Sequence, residues 1–151
     1  MLKQKWIQRY LGLARHVAQW SKDPSTKTGA IIVSPDNMII SLGYNGFPRR
    51  VADRPELYRN RSTKYERIIH SEVNAVLSAR TDLTGCTIFC YPLMPCSRCA
   101  TVIIQTGISR VVFPYCDNQE VLTRFKVSHE HAVEMFLDAG VELICFEGDL
   151  L

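Results

Sequence analysis

The chain has 151 residues, 46% hydrophobic and 22% charged, values that fit one domain over residues 1–151 and exclude a disordered, collagenous or coiled-coil protein. Eighteen lysines and arginines against fifteen acidic residues leave a formal charge of +3, too mild to mark a nucleic-acid binder. The excess lies in one segment: residues 49–67 hold seven basic and three acidic side chains, a local balance of +4, and the rest of the chain stands at −1.

No stretch approaches the roughly 18 apolar residues of a membrane span. The first twenty residues read as an amphipathic helix and not as a secretory leader. A cytoplasmic location is therefore expected, a host's cytoplasm if the chain is viral, with no membrane partner. Cytoplasmic thiols are kept reduced, so the six cysteines at 86, 90, 96, 99, 116 and 145 are buried apolar residues, metal ligands or nucleophiles, and not a disulfide framework.

Between Trp6 and Trp20 the apolar residues recur at helical spacing, and Ser21-Lys22-Asp23-Pro24 ends the pattern. Gly29–Ser34 and Met38–Tyr44 are β-type runs joined by Pro35-Asp36-Asn37, which predicts a hairpin. Residues 46–68 carry two prolines, seven basic residues and little periodicity, a loop with a short helix around Glu56–Asn60. The spacing then predicts a helix over His70–Ala79, with Val73, Ala75, Val76 and Leu77 available for burial, and a turn at Leu83–Gly85. A strand over Thr87–Tyr91, a helix over Cys96–Thr106 closed by Gly107 and a strand over Arg110–Pro114 follow. A helix over His129–Ala139 and a strand over Val141–Phe146 complete the chain. This order combines a hairpin with crossovers and implies an α/β fold, a five-stranded mixed sheet covered by helices.

One constellation carries chemistry. His70-Ser71-Glu72 opens one predicted helix, and Pro95-Cys96-Ser97-Arg98-Cys99 opens the next after a single strand. Cys96 and Cys99 are three apart on one helix face, so two thiolates reach one ion, and His70 makes a third N/S ligand. Three protein ligands leave a fourth tetrahedral position for water, the pattern of a catalytic zinc, whereas a structural zinc is usually closed by a fourth ligand. Glu72 lies about 200° round the helix from His70, so the two converge only over the helix N-terminus. There Glu72 is free to act as general acid and base, beside a metal that lowers the pKa of water toward about 7. Alone, Cys-x-x-Cys fits a redox pair or half a structural zinc site. His-x-Glu followed by Pro-Cys-x-x-Cys is the zinc deaminase signature.

Cys86, Cys90 and Cys145 fall in or beside predicted strands and are expected to be buried apolar residues, while Cys116 follows a strand end. None of these four is assigned chemistry. His129 and His131 splay apart at i, i+2 on a helix and are read as surface or capping residues. His16 has no partner in sequence.

Beyond the signature, Ser21-KDPSTKTGAIIV, Gly43-YNGFPR, His70-SEVNAV, Tyr91-PLMPCSRCA and Ile103-IQTGISRVV resemble the deoxycytidylate (dCMP) deaminase family of the cytidine deaminase superfamily. The likeness runs from about residue 5 to 145 with the motifs in the family's order. It implies a three-layer cytidine deaminase-like fold and hydrolysis of dCMP to dUMP and ammonia, which supplies the thymidylate precursor. It implies that His70, Cys96 and Cys99 hold one zinc per subunit, that Glu72 shuttles protons and that Asn45 bonds the deoxyribose. Ser71 stands where the family usually has alanine, at a backbone contact to the base. A phosphate needs cations or oriented amides; the expected ones are Lys27, Arg49 and Arg50, with Tyr115 lining the pocket. The resemblance further implies a homo-oligomer, a hexamer favoured, activated by dCTP with magnesium and inhibited by dTTP. Arg50, Gly43 and Gly46 are the effector or phosphate candidates.

Three other readings stay open at this point: a deaminase of another cytosine nucleotide or nucleoside such as dCTP or cytidine, one acting on polynucleotides, or a catalytically silent zinc protein of the same fold. A polynucleotide enzyme needs an extended basic channel with stacking platforms. Positive charge confined to one loop argues against a nucleic-acid partner, and Glu72 argues against silence.

Overall fold

The computed structural model describes residues 2–151. A single five-stranded sheet of order β2-β1-β3-β4-β5 is built from β1 (Gly29–Val33), β2 (Ile39–Tyr44), β3 (Thr87–Tyr91), β4 (Arg110–Pro114) and β5 (Glu142–Phe146). β1 pairs antiparallel with both β2 and β3, while β3–β4 and β4–β5 are parallel. The sheet is therefore mixed, as the hairpin and crossovers require. Six helices surround it: α1 (Gln4–Ala18), α2 (Pro55–Arg59), α3 (Arg61–Arg67), α4 (Ser71–Ala79), α5 (Ser97–Gln105) and α6 (Gln119–Asp138).

Strand alternation divides the core into two layers. Ile31, Val33, Phe89 and Val112 face α1, where Ile7, Leu11, Ala14 and Val17 meet them at helical spacing. Ala30, Ile32, Ile88, Cys90 and Val111 face the opposite way, against Ala75 of α4, Ala100 and Ile103 of α5, and Ala132 and Phe136 of α6. All five residues of β1 are buried, because this strand has a neighbour on each side and a helix layer on each face. The three-layer arrangement is the one expected.

Several expectations need correction. α6 begins at Gln119, ten residues before the predicted His129. Its cap is Asn118, whose side chain accepts a hydrogen bond from the Val121 N–H. The basic segment holds a second helix, α3, capped by Asn60 on the Thr63 N–H. Cys145 is exposed, not buried, because β5 is an edge strand. Leu77, read as available for burial, is 63% exposed.

Candidate active site

The sheet delivers two helix N-termini to one place. Gly46 and Ile69 exchange backbone hydrogen bonds of 3.1 and 2.8 Å, which fastens the chain leaving β2 to the segment entering α4. His70 is the residue before α4, with Ser71 and Glu72 in its first turn. Cys96 stands in the same relation to α5, and Cys99 lies one turn in. Neither His70 nor Cys96 caps its own helix with its side chain, so both are free to point elsewhere. The first N–H of α5 instead finds an acceptor outside the helix: Ser128 Oγ of α6 lies 2.8 Å from Ser97 N. α6 thereby locks the start of α5.

His70 Nδ1 is 3.3 Å from Cys99 Sγ and 3.4 Å from Cys96 Sγ. The three donor atoms all lie within 4.8 Å of one another. Tetrahedral zinc with bonds of about 2.1 Å to nitrogen and 2.3 Å to sulfur sets its ligands on the order of 3.5 Å apart, and the two nitrogen–sulfur distances here match that spacing. Cys96 is pushed down to about 3, chiefly by the hydrogen bond from Cys99 and then by the one from His70. Cys99 moves the opposite way, since it donates to Cys96 and is buried. His70 is raised by its hydrogen bond to Cys96.

Glu72 stands outside the ligand group and is buried, with its carboxylate accepting from Ser71 Oγ at 3.2 Å. Burial raises its pKa above the ordinary carboxylate value, partly offset by the charge of His70. A carboxyl group moved toward neutrality is suited to both taking and giving a proton.

These residues floor a cleft of about 740 Å³, the open space at its mouth included. One wall is the loop ahead of β1, held by a buried polar network. Asn45 Oδ1 accepts the Thr28 N–H at 2.8 Å and Asn45 Nδ2 donates to the Thr26 carbonyl at 2.9 Å. Asp23 Oδ1 accepts the Ser25 N–H at 2.8 Å. Lys64 Nζ reaches from α3 to within 3.3 Å of Asp23 Oδ2, with the two side chains 9% and 3% exposed. The facing wall is Tyr91, Leu93 and Met94, and α6 closes the cleft with Arg124, Phe125 and His129.

The structure brings His70, Glu72, Cys96 and Asn45 to this cleft, with Ser71 beneath Glu72 and Cys99 completing the cluster. It does not bring Lys27, Arg49, Arg50 or Tyr115 there: all four are exposed and none lines the cleft. Gly43 serves packing, since a Cβ at that position would collide with the backbone of Ser71 and Ala75 in α4. Gly46 serves the bridge to Ile69. His129 is neither a surface nor a capping residue: it lines the cleft and is lowered in pKa by burial. His131 is exposed, as expected. Lys64, Arg124 and Phe125 escaped the sequence reading. The signal for the last two was an apolar spacing through Val121, Leu122, Phe125 and His129 that begins just after a capping Asn118.

A family model, the cytidine and deoxycytidylate deaminase zinc-binding region, matches residues 4–115. The "uncharacterized deaminase in luxG 3′ region" of Aliivibrio fischeri is 42% identical over 149 residues, 97% of either chain. Deoxycytidylate deaminase of Homo sapiens is 38% identical over 125 residues, covering 77% of this chain and 70% of that protein. Among solved structures, the dCMP deaminase of cyanophage S-TIM5 in complex with dCMP and dUMP superposes with a TM-score of 0.72 at 21% identity. That match covers 96% of this chain and 99% of that one, and it is a likeness of fold.

Proposed function

From a chain that belongs to the cytidine and deoxycytidylate deaminase family of zinc-binding enzymes, we propose a single deaminase domain that hydrolyses dCMP to dUMP and ammonia. The observation that carries the reading is the buried, non-ligating Glu72 beside the His70, Cys96 and Cys99 donors, on the floor of a cleft that also presents Asn45. A structural metal site has no use for such a carboxylate.

His70, Cys96 and Cys99 hold one zinc per subunit, two thiolates and an imidazole being the donor set that ion prefers. When bound, zinc supplies Lewis acidity that brings the pKa of water toward about 7. Glu72 takes a proton from the attacking water and delivers it to N3 of cytosine as the oxygen adds to C4. Glu72 then takes the remaining proton from the oxygen now on C4 and passes it to the exocyclic nitrogen, so that C4–O becomes a carbonyl as the C4–N bond breaks and ammonia leaves. Atoms balance as dCMP plus water to dUMP plus ammonia. Ser71 offers its backbone to the base, and Asn45 holds the deoxyribose.

The same reading places the enzyme in pyrimidine metabolism in the cytoplasm; no described helix is long and apolar enough to cross a membrane. It extends to control by end products on a homo-oligomer, a hexamer favoured, with dCTP and magnesium activating and dTTP inhibiting. A substrate panel on zinc-loaded protein tests all of this: dCMP, deoxycytidine, dCTP and a cytosine-bearing oligonucleotide, with and without dCTP and dTTP. The expected result is highest kcat/KM for dCMP, with sigmoidal kinetics that dCTP renders hyperbolic. Best activity on the oligonucleotide overturns the substrate reading. Hyperbolic kinetics indifferent to both triphosphates removes the regulatory one.

A further inference from the structure

We propose that Arg124, on the second turn of α6, reads the 5′ phosphate of the substrate, and that α6 is therefore the element that makes this a nucleotide site and not a nucleoside site. The inference rests on the dCMP reading above and adds to it a residue and an element outside residues 4–115, where the family match lies.

Two permanent cations line the cleft among the described residues, Lys64 and Arg124. They differ in what already neutralises them. Lys64 Nζ sits 3.4 and 3.3 Å from the two carboxylate oxygens of Asp23, in a pair almost closed to solvent. A charge compensated so tightly presents little net field to an arriving dianion. Arg124 has a looser attachment: its Nη2 is 3.7 Å from Glu120 Oε1, and that glutamate side chain is 85% exposed. An exposed i, i+4 pair of this kind holds its partners only weakly, so a phosphate displaces it readily. The guanidinium then offers two parallel N–H donors, the geometry that phosphate oxygens accept best.

Position agrees with charge. The Arg124 side chain is 29% exposed while lining the cleft, which lets it meet a solvated anion without first being unburied. His129, five residues further along the same helix, lines the same cleft as His70 and Cys96. Five residues of α-helix rise about 7.5 Å, comparable to the separation of cytosine C4 and the 5′ phosphorus across one deoxyribose. Phe125 fills the interval, with its ring 5.7 Å from that of His129 and 5.9 Å from the Arg124 guanidinium carbon.

The test compares kcat/KM for dCMP and for deoxycytidine in zinc-loaded wild type, Arg124→Gln and Arg124→Met, with the exposed neighbour Lys126→Gln as control. The wild type is expected to prefer dCMP. Both Arg124 variants should lower the dCMP-to-deoxycytidine ratio at least tenfold, mainly through KM for dCMP, while Lys126→Gln keeps the wild-type ratio. Two variants of different polarity guard against one failing to fold. A ratio held within twofold, or an equal loss on both substrates, overturns the role of Arg124 and leaves the dCMP reading standing. A wild type that prefers deoxycytidine overturns the dCMP reading itself, and the phosphate role with it.

Discussion

Glu72 shows at single-residue scale how a functional group is set against the stability of its own fold. Burial raises its pKa, so the folded protein holds this proton more tightly than the unfolded chain does. Folding is then unpenalised below the ordinary glutamate pKa of about 4.3 and penalised increasingly as pH climbs through the raised folded value. Glu72→Gln is expected to raise the melting temperature of metal-free protein at pH 8 and to leave it unchanged near pH 4. The same variant, zinc-loaded, should keep one equivalent of metal by elemental analysis and lose at least three orders of magnitude in kcat. Appreciable turnover would remove Glu72 from the proton-transfer role. Gly43 is the opposite case, a residue whose value lies in having no side chain. Gly43→Ala pushes a methyl into the backbone of α4 and should cost about 1–3 kcal/mol in urea unfolding, with a loss of activity because His70 and Glu72 ride on that helix.

Elements are held in place by a few specific bonds, and these were the least legible part of the sequence. Strands β3 and β4 stand where their β-branched and aromatic runs placed them, since a short apolar run between turn residues has few other options. The helices bearing the metal motif are also where the motif put them: His70 and Cys96 are extended residues directly before α4 and α5, the one following the Gly46–Ile69 bridge and the other following Pro95. The segment 46–68 read as a charged loop because Lys64 counts as one more cation in a row of seven. Nothing local reveals that its carboxylate partner, Asp23, lies 41 residues away. Breaking this pair with Lys64→Met leaves a buried carboxylate uncompensated and should cost about 3–5 kcal/mol. The double variant Lys64→Met, Asp23→Asn should recover most of that loss, a coupling that a double-mutant cycle in urea measures directly. α6 was foreshortened for a related reason: Asn118 looks like the end of a loop until Val121 supplies the N–H that it caps.

On the scale of the whole molecule, the metal cluster draws on two helices of the same layer, α4 and α5, with α6 fixing the second of them through Ser128. The cluster adds little to the core in the metal-free state and gains its worth from the ion. Stripping zinc with a strong chelator should lower the melting temperature by several degrees and expose two further thiols to a thiol reagent. Restored zinc should reverse both, following the mass-action stabilisation of a ligand that binds only the folded state. An unchanged melting curve would mean that these three residues do not bind the ion in the native fold.

Two hydrogen bonds, Ser97 N–H to Ser128 Oγ at 2.8 Å and Ser128 Oγ–H to Ser97 Oγ at 3.2 Å, tie the helix that bears Arg124 to the start of the helix that bears Cys99. On the Arg124 proposal, chemistry and phosphate selection lie in separate stretches that meet at this serine pair and at the packing of Ala132 and Phe136 against Ala100 and Ile103, so the second can be exchanged where those contacts are kept. A chimera that keeps residues 1–116, substitutes a foreign helix for α6 and preserves Ser128, Ala132 and Phe136 should remain a working hydrolytic module and acquire the donor's response to the 5′ phosphate.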